Sequence, residues 1–333
     1  VRITLDQILD ISYQNLARWG FHDEEIGLIN RNLLDAELSG KKTHGFVRLL
    51  SIKKQYDKKE LNVEPLVLDI LSESSTHLHV DGKNKLGFGV IYKALEKAKE
   101  KVAKTGLVAV GIKNTGVTGY IGSYAREAVK DDLIYLGFHN STGGLIPHGS
   151  IAEMWGTNPL TVGIPTFDVP IILDMASSQI TWGDLLVAKN EDRQLREGVA
   201  LDKDGKPTID PEKAMAGGLL PFFGHKGSGL AFIVELLAGA LMGSRVGNNV
   251  PGGWGSFFIL LDLKLFRPLG EFKQDVQTAI EELKNSPKAE GVKEIFFAGE
   301  KSYKLHQQHL EQGYFELSDK LYSDLQSLLK GAQ

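Results

Sequence analysis

The chain contains no cysteine. That removes disulfides, thiolate zinc sites, iron–sulfur clusters and cysteine nucleophiles together. It also has little excess charge, since 38 Lys and Arg against 42 Asp and Glu leave a net −4. Such a balance gives no basic footprint for nucleic acid, which is not an expected partner. No apolar run reaches the roughly eighteen residues of a membrane-spanning helix. The richest stretch, residues 230–242, reads as a buried core helix. Val1-Arg2-Ile3-Thr4 run directly into an amphipathic helix, so no secretory signal is expected. A cytoplasmic protein with no membrane partner fits these absences.

What remains is ordinary globular material. The 333 residues are 42% hydrophobic and 24% charged, a length that suggests about two domains. The first 60 residues read as helices. Thr4 and Gln7 form a capping-box pattern, followed by Leu5, Ile8, Leu9 and Leu16 at helical period. A second helix starts near Asp23, and a third follows His44. The middle alternates: strands are predicted at 66–71, 77–80, 107–112, 133–138, 160–164, 170–173 and 257–263. Helices are predicted at 87–104, 121–130 and 229–242. Beyond Gly270 the chain turns helical again, at 276–284 and 318–329. Two polar stretches, 202–207 and 281–290, read as surface loops. Helical ends around a mixed centre predict an α/β (α+β) protein. Its helical domain comes from residues 1–65 plus 270–333, with a central mixed-sheet domain of 66–269 inserted in it.

Glycine-rich turns decide the nucleotide question only in part. Gly87-Phe88-Gly89-Val90-Ile91-Tyr92 lacks the third glycine of a Rossmann fingerprint. Gly224-His225-Lys226-Gly227-Ser228-Gly229 has the lysine on the wrong side for a Walker loop. It still offers a helix N-terminus and a cation to an anion, or else it is a tight turn with a surface lysine.

Thr43-His44-Gly45-Phe46-Val47-Arg48 offers more. If His44 opens a helix, His44 and Arg48 lie four apart on one face. A histidine moves protons near neutral pH, and an arginine grips a carboxylate through two parallel hydrogen bonds. The plain alternative is a partly buried histidine beside a surface arginine. A third cluster follows a strand: His139, Asn140, Ser141, Thr142, Gly143, Gly144, Pro147 and His148. Loops beyond strand ends are where α/β proteins build sites. Two histidines without a third ligand do not make a metal site, and none is expected. In Asp174-Met175-Ala176-Ser177-Ser178 an apolar strand runs into an acid and two hydroxyls, suited to a ribose or to capping a helix. Phe297-Ala298-Gly299-Glu300 reads as a strand end and turn before a helix.

Together these pieces resemble the type 2 malate/L-lactate dehydrogenase family, with its non-Rossmann L-sulfolactate dehydrogenase-like fold. The family includes ureidoglycolate dehydrogenase, piperideine-2-carboxylate reductase and 2,3-diketo-L-gulonate reductase. The resemblance rests on Thr43-His44-Gly45 with Arg48, on Gly156-Thr157-Asn158-Pro159 with Ile164-Pro165, and on Leu173-Asp174-Met175-Ala176. Ala200-Leu201-Asp202 and Lys226-Gly227-Ser228-Gly229-Leu230-Ala231 complete it. It implies hydride transfer between NADH or NADPH and C2 of a small 2-oxo or 2-hydroxy acid. His44 would be the acid–base group, with Thr43, Arg48, Asn140, Ser141 and His148 toward the carboxylate substrate. Asp174, Met175, Ala176, Ser177, His225, Lys226, Gly299 and Glu300 would lie along the cofactor. It also implies a homodimer with the active site near the interface. A reductase of cyclic imino acids and a non-catalytic ligand-binding relative stand as alternatives. Val117 occupies the place of a family histidine, Asp184 that of a common lysine, Ala298 that of a proline and His148 that of an aromatic residue.

Overall fold

A computed structural model describes residues 1–330. Three residues of the predicted helical domain, 331–333, lie outside the described part. No described helix is long and apolar enough to cross a membrane.

The chain starts with strand β1 (Arg2–Thr4), then helices α1 (Leu5–Arg18) and α2 (Asp23–Leu38). The Thr4–Gln7 capping box forms as predicted, with Thr4 Oγ1 accepting from the Gln7 N–H and Gln7 answering on Thr4. A short 3-10 turn (Lys42–His44) leads to α3 (Arg48–Asp57). The helix therefore does not begin at His44. Gly45, at φ −82° and ψ −149°, breaks the chain between His44 and Arg48. The two side chains are joined by a turn rather than by one helical face.

The centre is a sheet of seven strands: β2 (Asp69–Glu73), β3 (His77–Asp81), β4 (Leu107–Thr115), β5 (Leu133–His139), β6 (Leu160–Ile164), β7 (Ile171–Met175) and β10 (Trp254–Asp262). Their order is β2-β3-β4-β10-β5-β6-β7. Only the β3–β4 pair is parallel, and the helix α4 (Gly87–Thr105) makes that crossover. The β2 strand starts later than the apolar run 66–71 suggests. Leu66 is buried, but as part of the approach to an exposed edge. Helix α5 (Gly122–Val129) packs with α4 on one sheet face. There Tyr92, Tyr124, Tyr135 and Phe258 are fully buried in the largest cluster.

A second cluster joins α1, α2 and α3 to the far end of the chain. Strand β11 (Tyr314–Glu316) pairs antiparallel with β1, placing Ile3 opposite Phe315. Helix α11 (Asp319–Lys330) lies on α1. A third, small cluster forms among α6 (Trp182–Asn190), α7 (Pro211–Ala216) and the hairpin of β8 (Ala200–Leu201) with β9 (Gly218–Leu219).

The predicted apolar helix 229–242 begins earlier, as α8 (His225–Val234), and continues as a π-helical turn (Glu235–Ala240). The buried Glu235 carboxylate accepts from Asn158 Nδ2 and the Gly247 N–H, both at 2.7 Å. Helix α9 (Leu269–Asn285) runs into the stretch expected to be loop from 281. No strand precedes Gly299. Residues 293–297 are irregular, and α10 (Glu300–Gln312) follows directly.

Candidate active site

Strands β4, β5 and β7 run in one direction, because each is separated from the next by an odd number of antiparallel partners. Their carboxyl ends therefore meet at one edge, where open α/β sheets place ligand crevices. A cleft of about 1310 Å³ lies there, bounded by the turn 41–48, the segments 117–121 and 139–143, and the start of α6. It exceeds the roughly 300–1,000 Å³ of a single small-molecule site.

The turn after α2 supplies the charged groups. Thr43 Oγ1 and His44 Nδ1 share a hydrogen bond of 3.0 Å. Burial, then the nearby cations Arg48 and Lys41, push the His44 imidazole down to about 3, so it is neutral at pH 7. Arg48 opens α3. Burial lowers its pKa, and among the described residues no acid stands beside it to oppose the shift and its buried Nε has no hydrogen-bond partner. A buried guanidinium with an unused donor is a receptor for an anionic oxygen.

Asp174, on β7, lines the same cleft. Its Oδ2 accepts from the Gly122 N–H at 3.1 Å. Burial raises it to about 6, against the pull of Lys41 and that N–H. Asp174 and Lys41 also line a smaller adjoining pocket of about 130 Å³ with Tyr120, Arg126, Gly299 and Ser302. Gly299 has φ +87°, and a Cβ there would stand 2.8 Å from the Ile172 carbonyl oxygen. Glycine lets this turn lie against β7, where Ile172 N–H donates to Ala298 O at 3.1 Å.

The structure thus brings Thr43, His44, Arg48, Asn140, Ser141, Asp174 and Ala176 to the cleft, and Gly299 to the adjoining pocket. Asn140 is nevertheless engaged at both ends. Its Oδ1 accepts from Gly255 N–H at 2.7 Å and its Nδ2 donates to Arg245 O at 2.8 Å. Ser177 is buried, donating its hydroxyl to Asn158 O at 2.6 Å. Neither it nor Met175 lines the cleft. Glu300 is almost fully buried, held by Lys284 and by Lys304 at 2.9 Å. His148, His225 and Lys226 form a separate exposed group, the two imidazoles 6.1 Å apart.

Two departures from the sequence pattern find local partners. Val117 packs against the helical cluster while lining the cleft. Asp184 closes a capping box with Thr181 at the start of α6. Lys41, Glu37 and Trp182 line the cleft and were not singled out from sequence. Lys41 could have been noticed only as a second lysine beside the Thr43-His44 motif.

The family described as malate/L-lactate dehydrogenase matches residues 3–326. The malate dehydrogenase of Pyrococcus horikoshii is 31% identical over 94% of this chain and 91% of its own length. The L-sulfolactate dehydrogenase of Methanocaldococcus jannaschii is 33% identical, covering 94% of this chain and 92% of that protein. The solved malate dehydrogenase of Entamoeba histolytica superposes with a TM-score of 0.94 at 26% identity, covering 99% and 97% of the two chains.

The raised Asp174 carboxyl has a consequence for stability. Its folded-state value, about 6, lies above its ordinary 3.8. Ionising it in the folded state therefore weakens the fold as pH rises through that window. Asp174→Asn is expected to exceed the parent in stability by on the order of 1–3 kcal/mol at pH 8, with the gap closing near pH 4. Thermal melts across that range, without cofactor, test it; a gap that ignores pH would remove the burial argument.

Proposed function

The chain belongs to the malate/L-lactate dehydrogenase family, and we propose that it works through His44 and Arg48 as an NAD(P)-dependent oxidoreductase of small 2-hydroxy and 2-oxo acids. The observation that carries this reading is the buried, unpartnered Arg48 Nε beside a neutral imidazole in one cleft. A guanidinium with an open donor suits a carboxylate, and an imidazole within its field suits the oxygen on the neighbouring carbon.

The cleft suits a dinucleotide as well as an acid. Its volume exceeds that of one small ligand, and Gly299 lets its turn close against β7 at the edge of the adjoining pocket. Asp174, Ala176 and Gly299 would hold the cofactor from the sheet edge, and Met175, Ser177, His225, Lys226 and Glu300 remain assigned to it from the sequence pattern. When bound, the nicotinamide supplies or accepts the hydride.

The chain's own groups do the rest. Arg48 binds the substrate carboxylate and orients the C2 carbonyl. That carboxylate offsets the two cations that depress His44, so the imidazole gains a proton more readily with substrate present. In reduction, protonated His44 delivers this proton to the C2 oxygen as negative charge develops there. In oxidation the neutral imidazole takes it back. Thr43, hydrogen-bonded to Nδ1, fixes the ring so that Nε2 faces the substrate. Ser141 borders the same space.

The helical cluster formed by both chain ends supports a division into residues 1–65 plus 270–333 and 66–269. The exposed apolar side of α8 and the π-helical turn supports a homodimer. Phe223, Phe232, Ile233 and Leu241 are 83%, 46%, 50% and 60% exposed. Large apolar side chains exposed this close in sequence suit burial against a second copy, and His225 and Lys226, which the sequence pattern assigns to the cofactor, begin the same helix.

Absorbance at 340 nm with NADH or NADPH against 2-oxo acids of three to six carbons tests the function. A cyclic imino acid is included in the panel. Cofactor oxidation with an oxo acid supports the reading; oxidation with the imine alone would replace it. His44→Ala should lower turnover by about 10²–10⁴-fold while NADH affinity by fluorescence stays nearly constant. Full activity in that variant would remove His44 from the chemistry. Arg48→Ala should weaken substrate recognition by about 2–5 kcal/mol, seen mainly in KM for the acid, and an unchanged KM would sink its role. Ile233→Lys should halve the mass measured by sedimentation; a mass that stays put would move the interface elsewhere.

A further inference from the structure

Between His44 and Arg48 the chain makes a turn that several backbone hydrogen bonds close from within. His44 N–H reaches Lys41 O at 2.8 Å, Gly45 N–H reaches Lys42 O at 3.3 Å, and Arg48 N–H reaches Gly45 O at 3.0 Å. Phe46 N–H is met from outside the turn. It donates to Glu37 Oε2, on α2, at 3.1 Å. Glu37 is only 3% exposed and still borders the cleft. Its carboxylate lies flat against the turn, because a Cβ on Gly45 would come within 1.8 Å of Oε2 and 2.8 Å of Cδ. Gly45 thus leaves room for the acid, and the acid holds the turn at its midpoint. On the far side Phe46 is fully buried, its ring 6.4 Å from that of Phe315.

We propose that Glu37 is a positioning residue, whose carboxylate fixes the spacing between the imidazole of His44 and the guanidinium of Arg48. The proposal rests on the roles given above to those two side chains. Nothing in the geometry requires Glu37 to touch substrate. It supplies the one acceptor that lets Phe46 N–H be dry, and with it the path of the backbone between the two functional groups. Burial raises the Glu37 carboxyl to about 7, opposed by Phe46 N–H and Lys42. A neutral acceptor of the same shape therefore suits the position.

Five variants test this: Glu37→Gln, Glu37→Leu, Glu37→Ala, Gly45→Ala and the double variant Gly45→Ala with Glu37→Ala. Each is assayed for kcat and KM with the active 2-oxo acid, for NADH affinity by fluorescence and for melting temperature. Glutamine keeps an acceptor oxygen and should retain most of kcat/KM. Leucine should lose on the order of 10²-fold, the scale of an ångström-sized misplacement, while NADH affinity changes less than about twofold. Gly45→Ala should lose activity alone and lose little more when Glu37 is also truncated, because both act through one contact. Three results would overturn the proposal: glutamine as damaging as leucine, losses equal for NADH binding and catalysis, or full additivity in the double variant. Full activity in His44→Ala would instead strike the catalytic reading, which separates the two failures.

Discussion

Strand β10 is hydrogen-bonded along both edges, to β4 and to β5, and the rest of the molecule is arranged around that double pairing. Its residues lie more than a hundred positions from those of either neighbour. Because β10 is antiparallel to both, the two older strands run in step and end side by side. The start of β10 then ties those ends down. Thr115 Oγ1 donates to Trp254 O at 3.1 Å, His139 Nδ1 meets Ser256 Oγ at 2.8 Å, and Gly255 N–H is received by Asn140. The floor of the cleft is therefore a product of sheet closure. His139 illustrates this: burial drives its imidazole down to about 3, and it serves as a neutral hydrogen-bonding strut.

On this floor the charged groups are half-buried at the cleft wall and incompletely matched. Arg48 lacks an acid, Asp174 is hard to ionise and His44 is hard to protonate. An anionic ligand relieves two of these conditions, by pairing with Arg48 and by offsetting the cations around His44, whereas Asp174 stays easier to keep neutral. Clusters of this kind mark functional sites more often than structural ones. The exposed ion pairs elsewhere, such as Lys83 with Asp69, lack that tension.

Much of this was legible beforehand, for identifiable reasons. The amphipathic helices declare themselves by period, and the buried strands by short β-branched runs. Strand 160–164 matches residue for residue. The motif around His44 points to chemistry only in company with the other pieces of the family pattern, since its spacing alone suits an idle pair equally well. The geometry linking them was not legible. Gly45 looks like a helix residue in a string of apolar neighbours, and only the carboxylate beneath it shows why glycine stands there. Asn140 read as a ligand contact because polar loop residues often are. It does line the cleft, but its amide also accepts from Gly255 on β10 and donates to Arg245 O, contacts that no local pattern reveals. Glu37 was invisible for the opposite reason: an acid near a helix end ordinarily faces water. His148 and His225, placed toward substrate and cofactor by the family pattern, stand with their rings 6.1 Å apart outside the lining of the cleft in this chain.

The pairing of β1 with β11 has a bearing on how the molecule comes into being. Residues 2–4 find their partners only among 314–316, and α1 packs on α11. During synthesis α1 is made long before β11 and α11, so the part of its apolar face that they cover stays open until they arrive. Loop closure over such a separation is slow, and the exposed interval invites chaperones. The turn bearing His44 and Arg48 belongs to this late-closing region. The sheet can therefore be complete, with β10 in place, before the turn is fully packed.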